Sequence, residues 1–372
     1  MKSIVKGLAL TTAVITGVIS NGHAASATNL ENPLYTPAAG EFYTKLGAGL
    51  MYKKANDNLV MQMKDHAGAT EFPIWRGSLD LGYGIIDRLA VRGQFQYTHD
   101  GDIDRQGMNN GRLGLSYRVF DGKSTDGIVW DVYADAHLGG ISEMDATLVN
   151  SKNNFGMTEP VTFDYANYSN GRWGAYLGTQ VGKTWGKFTG SVFAEVLRTF
   201  GNDNNKITIS DGVTAAGTGA AWLLVYQQYM VATGGNTATS SAMATAAMAT
   251  LPDSFSVNTK STWEYNLGLK SLYEIDEKWS AGAGFTFKHR ATNSIKSIVS
   301  DNAVIQGMAS RFVGPMDDGI DEYIVSVVAA RQMNDSIQLG VYGEYTFDDA
   351  EAKSQNGTDV KMELGVRLNA RF

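Results

Sequence analysis

From Val360 to the last residue the chain alternates: Val360, Met362, Leu364, Val366, Leu368 and Ala370 are apolar, Lys361, Glu363, Arg367, Asn369 and Arg371 are polar, and the run closes on Phe372. Successive side chains of an extended strand point to opposite sides, so one face of this segment wants hydrocarbon and the other wants water. A soluble β-sandwich can satisfy such a strand, and so can a closed sheet whose outer face meets lipid. The rest of the sequence decides between them.

The N-terminus carries Lys2 and Lys6, an apolar stretch over 8–19, and small residues ending at Ala24 or Ala27. This is the pattern of a secretory signal peptide (1–27), cleaved on export. Its apolar core is shorter than the roughly 20 residues a membrane-spanning helix needs, and no later apolar stretch comes closer. With Cys 0 the chain has no disulfides, thiolate metal sites or cysteine nucleophile. Gly 42 against Pro 6 suits closely approaching strands. Net charge is -7, and the loss of Lys2 and Lys6 with the signal takes it to -9, which gives no reason to expect a nucleic-acid partner.

Twelve segments share the two-residue period: 41–53, 73–85, 88–98, 110–120, 128–138, 171–182, 187–199, 262–274, 278–290, 322–332, 336–347 and 359–372. In the first, Leu46, Ala48, Leu50 and Tyr52 oppose Lys45, Gly47 and Gly49; in the fifth, Trp130, Val132 and Ala134 oppose Asp131, Tyr133 and Asp135. The connections alternate in length, short after even segments and long after odd ones, the long ones covering 54–72, 99–109, 139–170, 200–261, 291–321 and 348–358. A sandwich has no reason to sort its loops by parity. A membrane barrel does, because short turns stay on one side and long loops on the other. Aromatic residues near strand ends, such as Trp75, Trp263, Tyr273, Trp279, Tyr345 and Phe347, fit the interfacial girdles of such barrels.

The expected fold is therefore all-β: a transmembrane antiparallel up-and-down barrel over 41–372, with twelve strands and a periplasmic N-terminal segment at 28–40. The connection 200–261 is expected to be a long extracellular loop with a helix-permissive Ala/Thr/Ser/Met-rich stretch at 237–250. Two further strands within it would make fourteen.

These features resemble the bacterial outer-membrane β-barrel proteins, porin-like ones in particular. The stretch 32–43, Asn-Pro-Leu-Tyr-Thr-Pro-Ala-Ala-Gly-Glu-Phe-Tyr, is similar to the opening of porin-like barrels, and Gly365, Leu368 and Phe372 sit in an end similar to the signal read by the barrel assembly machinery. Ala370 is smaller than the residue usual at its place. The resemblance implies the outer membrane of a Gram-negative-type bacterium and contact with lipid and lipopolysaccharide, and it identifies a class and not a substrate; passive transport of small hydrophilic solutes or ions, with no cofactor, is the expectation that the inward residues carry.

The inward rows supply the candidate pore lining. Lys45, Arg76, Asp80, Arg92, Arg112 and Arg118 come from the first four segments, Asp131, Asp135 and Glu195 from the next three, and Glu264, Lys270, Lys288, Glu344, Lys361, Glu363 and Arg367 from the rest. A mainly basic wall beside an acidic sector sets a transverse field in a water-filled pore, and would pair up in a filled barrel. Twelve strands lie between filled eight-stranded barrels and wide 16-stranded porins, so a narrow pore is expected. A surface-recognition barrel whose loops bind host, phage or lipopolysaccharide is the alternative.

Catalysis ranks third. His99-Asp100 at a rim resembles the omptin proteases, without a second acidic pair in a matching strand context. Asp100, Asp102 and Asp104 begin like a calcium loop, but the twelfth position is Gly111 where a glutamate is required. Asp317, Asp318 and Asp321 read as a solvated acidic loop. His289, Asn293 and Ser294 lie too close in sequence to form a strand-mounted phospholipase site. No enzymatic activity and no resident metal are expected.

Overall fold

The computed structural model describes residues 29–55, 74–100, 105–122, 127–139, 142–148, 161–166, 173–201, 205–209, 230, 233–248, 254–290, 295–302, 306, 320–348 and 358–372. The expected signal at 1–27 lies outside them. In chain order the strands are β1 (Phe42–Ala55), β2 (Ile74–Ile86), β3 (Leu89–Asp100), β4 (Arg105–Asp121), β5 (Ile128–Leu138), β6 (Ser142–Leu148), β7 (Val161–Ala166), β8 (Gly174–Trp185) and β9 (Phe188–Thr199). They continue with β10 (Asn205–Ile209), helix α1 (Thr237–Met248), β11 (Ser254–Thr259), β12 (Thr262–Glu274), β13 (Trp279–Arg290), β14 (Ile295–Val299), β15 (Ile320–Gln332), β16 (Ile337–Asp348) and β17 (Thr358–Arg371).

Twelve of these form the wall, in the order β1-β2-β3-β4-β5-β8-β9-β12-β13-β15-β16-β17, every neighbour antiparallel. The wall closes where β17 pairs with β1, from Tyr43↔Arg371 along to Lys54↔Val360. Closure leaves no strand edge, which is the condition for a sheet to sit in hydrocarbon. The pleat sorts side chains as the alternation demands. On β17, Leu364 and Val366 are 58% and 59% exposed on the outer face, while Glu363 and Asn369 are 5% and 0% exposed inside.

Aromatic rings gather at both ends of the wall. Near the long-loop end, Trp263 stacks on Tyr265, and Tyr323 packs against both Phe287 and Phe347. Near the short-turn end, Phe372 stacks on Phe42 and Trp185 on Phe188. Two such belts around an apolar band mark two membrane interfaces.

The short turns are built locally. Gly186 takes φ +56° in a two-residue connection, and two other turns use one device. Asp276 accepts backbone N–H bonds from Lys278 and Trp279, both 2.7 Å, as Asn334 does from Ser336 and Ile337, both 2.9 Å. These bonds hold the exposed Asp276 carboxyl below the usual aspartate range.

The remaining strands correct the expected boundaries. The expected 99–109 loop is largely strand, since β3 and β4 stay paired out to Asp100↔Arg105 beyond a bulge at Gln96/Tyr97. Beyond the rim β6 pairs with β4 and β7, β10 with β7 and β11, and β11 with β14. These pairings absorb backbone groups of the long connections without adding staves to the barrel. The connection 200–261 holds β10, α1 and β11. Asn236 caps α1 by accepting the N–H of Thr239 at 3.0 Å, and Ser240 and Ala244 form its buried face.

If the side-chain oxygen at 276 is what holds its turn, Asp276→Asn leaves unfolding in urea-treated lipid vesicles unchanged, as the native Asn334 implies. Asp276→Ala should lower the urea midpoint of unfolding, since the two turn N–H groups lose their acceptor.

Candidate functional site: the lumen and its floor

The largest departure from the sequence reading concerns 28–40. Residues 29–37 turn into the barrel at the short-turn end, where both ends of the wall sequence lie. Two consecutive side-chain turns compact them: Asn29 accepts from the Glu31 N–H at 3.0 Å, and Asn32 from the Leu34 N–H at 2.8 Å. The folded segment then bonds to walls on opposite sides. On one side Gln338 donates to Asn29 at 2.8 Å, and Glu31 accepts from Asn369 at 2.8 Å and pairs with Arg367 at 3.2 Å. On the other, Gln180 donates to the Pro33 carbonyl at 2.7 Å, and Arg118 to the Leu34 carbonyl and the Thr36 hydroxyl, both at 2.6 Å. Lys45 donates to the Leu30 carbonyl at 2.5 Å.

Apolar contacts add to this. Leu30 and Leu34 are buried, and Leu34 lies where Gly182 has no side chain, a Cβ there falling 2.8 Å from Leu34 Cδ2. Tyr35 meets Tyr43 edge-on at 5.4 Å. Burial works against the Glu31 charge, but Lys45 and Arg367 with the Asn369 amide outweigh it and hold the carboxyl below its ordinary value of 4.5.

Above this floor lies a chamber of about 480 Å³. It is lined on one side by Tyr43, Lys45, Arg76, Asp80, Arg92, Gln94 and Gln96, and on the other by Lys270, Gly284, Ser326 and Glu344. The lumen is therefore neither filled by its own side chains nor clear from end to end.

Most of the expected lining charges are paired along the wall. Arg118 binds Asp131 through two contacts of 2.8 and 3.0 Å, and Arg92 grips Asp135 with two nitrogens. Arg112 reaches both Glu195 oxygens at 3.3 Å, and Tyr133 donates to the same carboxylate at 2.8 Å. Arg92 and Arg112 also lie over the rings of Tyr133 and Tyr176, 3.8 and 3.3 Å from the centroids. Arg76 pairs with Glu363, and Lys288 with Glu264 at 3.2 Å. The basic wall and acidic sector thus neutralise each other across their boundary and set up no open transverse field. Asp80, Lys270 and Glu344 face the chamber instead. The Lys361 side chain lies outside the described residues, as do Asp317 and Asp318.

Neutral partners were harder to single out from sequence. Tyr133, Tyr176, Tyr342, Gln180, Gln338 and Asn369 all occupy inward positions of the alternation, which was the available signal. Gly365 has a physical reason of its own: the Tyr342 ring lies where its side chain would be, and Tyr342 donates to Glu363 at 2.8 Å. Leu368 and Phe372 are exposed on the outside, Phe372 at 76%. Of the groups weighed for catalysis, His289 pairs with Asp321 at 2.7 Å and stacks on Tyr265. The Asp100 side chain and residues 101–104, 293 and 294 lie outside the described residues.

A closed antiparallel barrel with an apolar outer band, two aromatic belts and a polar lumen defines the class: the chain is a transmembrane β-barrel of the Gram-negative outer membrane. No protein-family model matches the chain, and no curated protein sequence matches it. Solved structures with a similar architecture include an outer-membrane channel from Pseudomonas putida F1, with 14% identity over 95% of this chain and 100% of that one and a TM-score of 0.49. A mutant of the monoaromatic hydrocarbon channel TodX shows 12% identity over 94% and 96% of the two chains, TM-score 0.49. A FadL homologue from Pseudomonas aeruginosa shows 10% identity over 95% and 98%, TM-score 0.42. At these values the likeness transfers no solute and no mechanism to this chain.

Arg112 and Glu195 are 12% and 14% exposed, so removing one partner strands a charge. Arg112→Gln should cost about 3 kcal/mol in barrel unfolding experiments. Adding Glu195→Gln should restore most of that loss, since the stranded carboxylate is then gone.

Proposed function

We propose that this protein is an outer-membrane channel for passive diffusion of small hydrophilic solutes or ions, closed at rest on its periplasmic side by residues 29–37. The observation that carries the proposal is the combination of a chamber of about 480 Å³ with a floor that is not part of the wall. The floor is held by hydrogen bonds, one ion pair and two leucines. Each hydrogen bond contributes about 1 kcal/mol net, so the segment can leave while the twelve-stranded wall stays intact. Ion pairs over most of the wall give the passage a polar, near-neutral surface, which favours hydrated solutes over hydrocarbons.

The outer surface supports the membrane partners. Arg198 lies over Trp263 near the long-loop rim and Arg331 over Trp279 near the short-turn rim, each offering a cation beside a ring to lipid phosphate. The exposed Phe372 and Leu368 are on the surface that the assembly machinery would read.

In planar bilayers the whole mature protein should open rarely and at low conductance, and deletion of residues 29–37 should raise mean conductance several-fold. Absence of channel events from both would refute the reading.

Acid provides a second test. Because the Glu31 carboxyl is held low in the seated segment, its contribution is complete at neutral pH and is lost as pH falls through that depressed value. Open probability should rise below pH 4.5, and Glu31→Gln should be open more often than the native protein at neutral pH, with the acid response diminished.

A further inference from the structure

The arginines that line the chamber are matched: Arg76 with Glu363, Arg92 with Asp135 and Arg367 with Glu31. Of the other charges on this surface, Lys45 is held by the Leu30 carbonyl, and three have no such anchor. Among the described residues, Lys270, Asp80 and Glu344 have no ion-pair partner within 4.0 Å. Lys270 is exposed although it is enclosed by the barrel, because its surface faces the chamber. Its amine lies over the ring of Phe193 on the neighbouring strand, 4.8 Å from the centroid, and the charges that act on it are Glu195 on that strand and then Lys45, Arg92 and Asp80 across the chamber.

Lys270 and Glu344 lie on one register row, Lys270–Gly284–Ser326–Glu344. Three strand spacings put their Cα atoms about 14 Å apart. The two residues between them are small. Gly284 has no side chain, and the Ser326 hydroxyl lies over it, 2.6 Å from where a Cβ would stand. The wall thus carries only small side chains between a cation and an anion that have no ion-pair partner among the described residues, with one hydroxyl at its centre. A solute of a single charge would meet only one end and leave the other unmatched, at a desolvation cost.

We propose that the chamber is a binding site for zwitterionic solutes of dipeptide size. The carboxylate end sits at Lys270, the ammonium end at Glu344, and the peptide group against Ser326 between them. A chamber of about 480 Å³ accommodates such a solute with water. This inference rests on the channel reading for its biological sense, but binding can be measured without conductance.

The test is calorimetry on the whole mature protein in detergent micelles, with glycylglycine, its N-acetyl derivative and its C-terminal amide. Native protein should bind glycylglycine at least tenfold more tightly than either singly charged analogue. Lys270→Met should lose tenfold or more for glycylglycine and the acetyl compound. Glu344→Gln should lose as much for glycylglycine and the amide, while leaving the acetyl compound unchanged. Ser326→Leu, which keeps both charges and fills the space between them, should abolish binding of all three. Equal affinity for the three compounds, no binding of glycylglycine, or indifference to the charge substitutions in folded protein would overturn the site. Selective binding without bilayer conductance would instead leave the site standing and refute the channel.

Discussion

Every peptide group that crosses a bilayer must find its hydrogen-bond partner within the protein, since the hydrocarbon offers none. The pairing of β17 with β1 meets that demand by removing the two edges that an open twelve-stranded sheet would expose. Much else follows from it. The outside of a closed sheet must be apolar, so its inside is where the polar half of every alternating segment goes. A lumen lined by polar groups can stay wet or neutralise itself, and this one does both.

The neutralising part is a set of wall pairings, some between adjacent strands, as Arg118 with Asp131, and some between strands two or three positions apart, as Arg92 with Asp135 and Arg112 with Glu195. The wet part is the chamber, whose floor is made by a segment from outside the wall. Residues 29–37 use the inward amides and cations of the short-turn end as anchors, and in return satisfy polar groups that water would otherwise occupy. Gating of this kind needs no change in the barrel. It needs only a segment whose attachments are individually weak.

The twelve strands were legible because their cause is local: a two-residue period records, residue by residue, which side faces lipid. Loop parity and the aromatic belts record the same geometry at the scale of the whole chain. Charge pairing was not legible, because it depends on which strand follows which and on the stagger between them; Arg92 and Asp135 are 43 residues apart. The floor was hidden for the same reason, as Glu31 meets Asn369 at a separation of 338 residues. Its only sequence trace is the pair Asn29 and Asn32, which foretells tight turns without saying where they sit. The strands above the rim were not legible because each runs only five to seven residues, too short to display a clean alternation.

The central claim is that residues 29–37 close a conducting barrel. The chain has no cysteine, so a single introduced pair can be read without background. The Gln338 amide on the wall meets Asn29 on the floor at 2.8 Å, which makes Asn29→Cys with Gln338→Cys a direct clamp between floor and wall. Single-channel recording under oxidising and then reducing conditions tests the claim. The oxidised protein should stay closed and the reduced protein should open; equal conductance in the two states would contradict it.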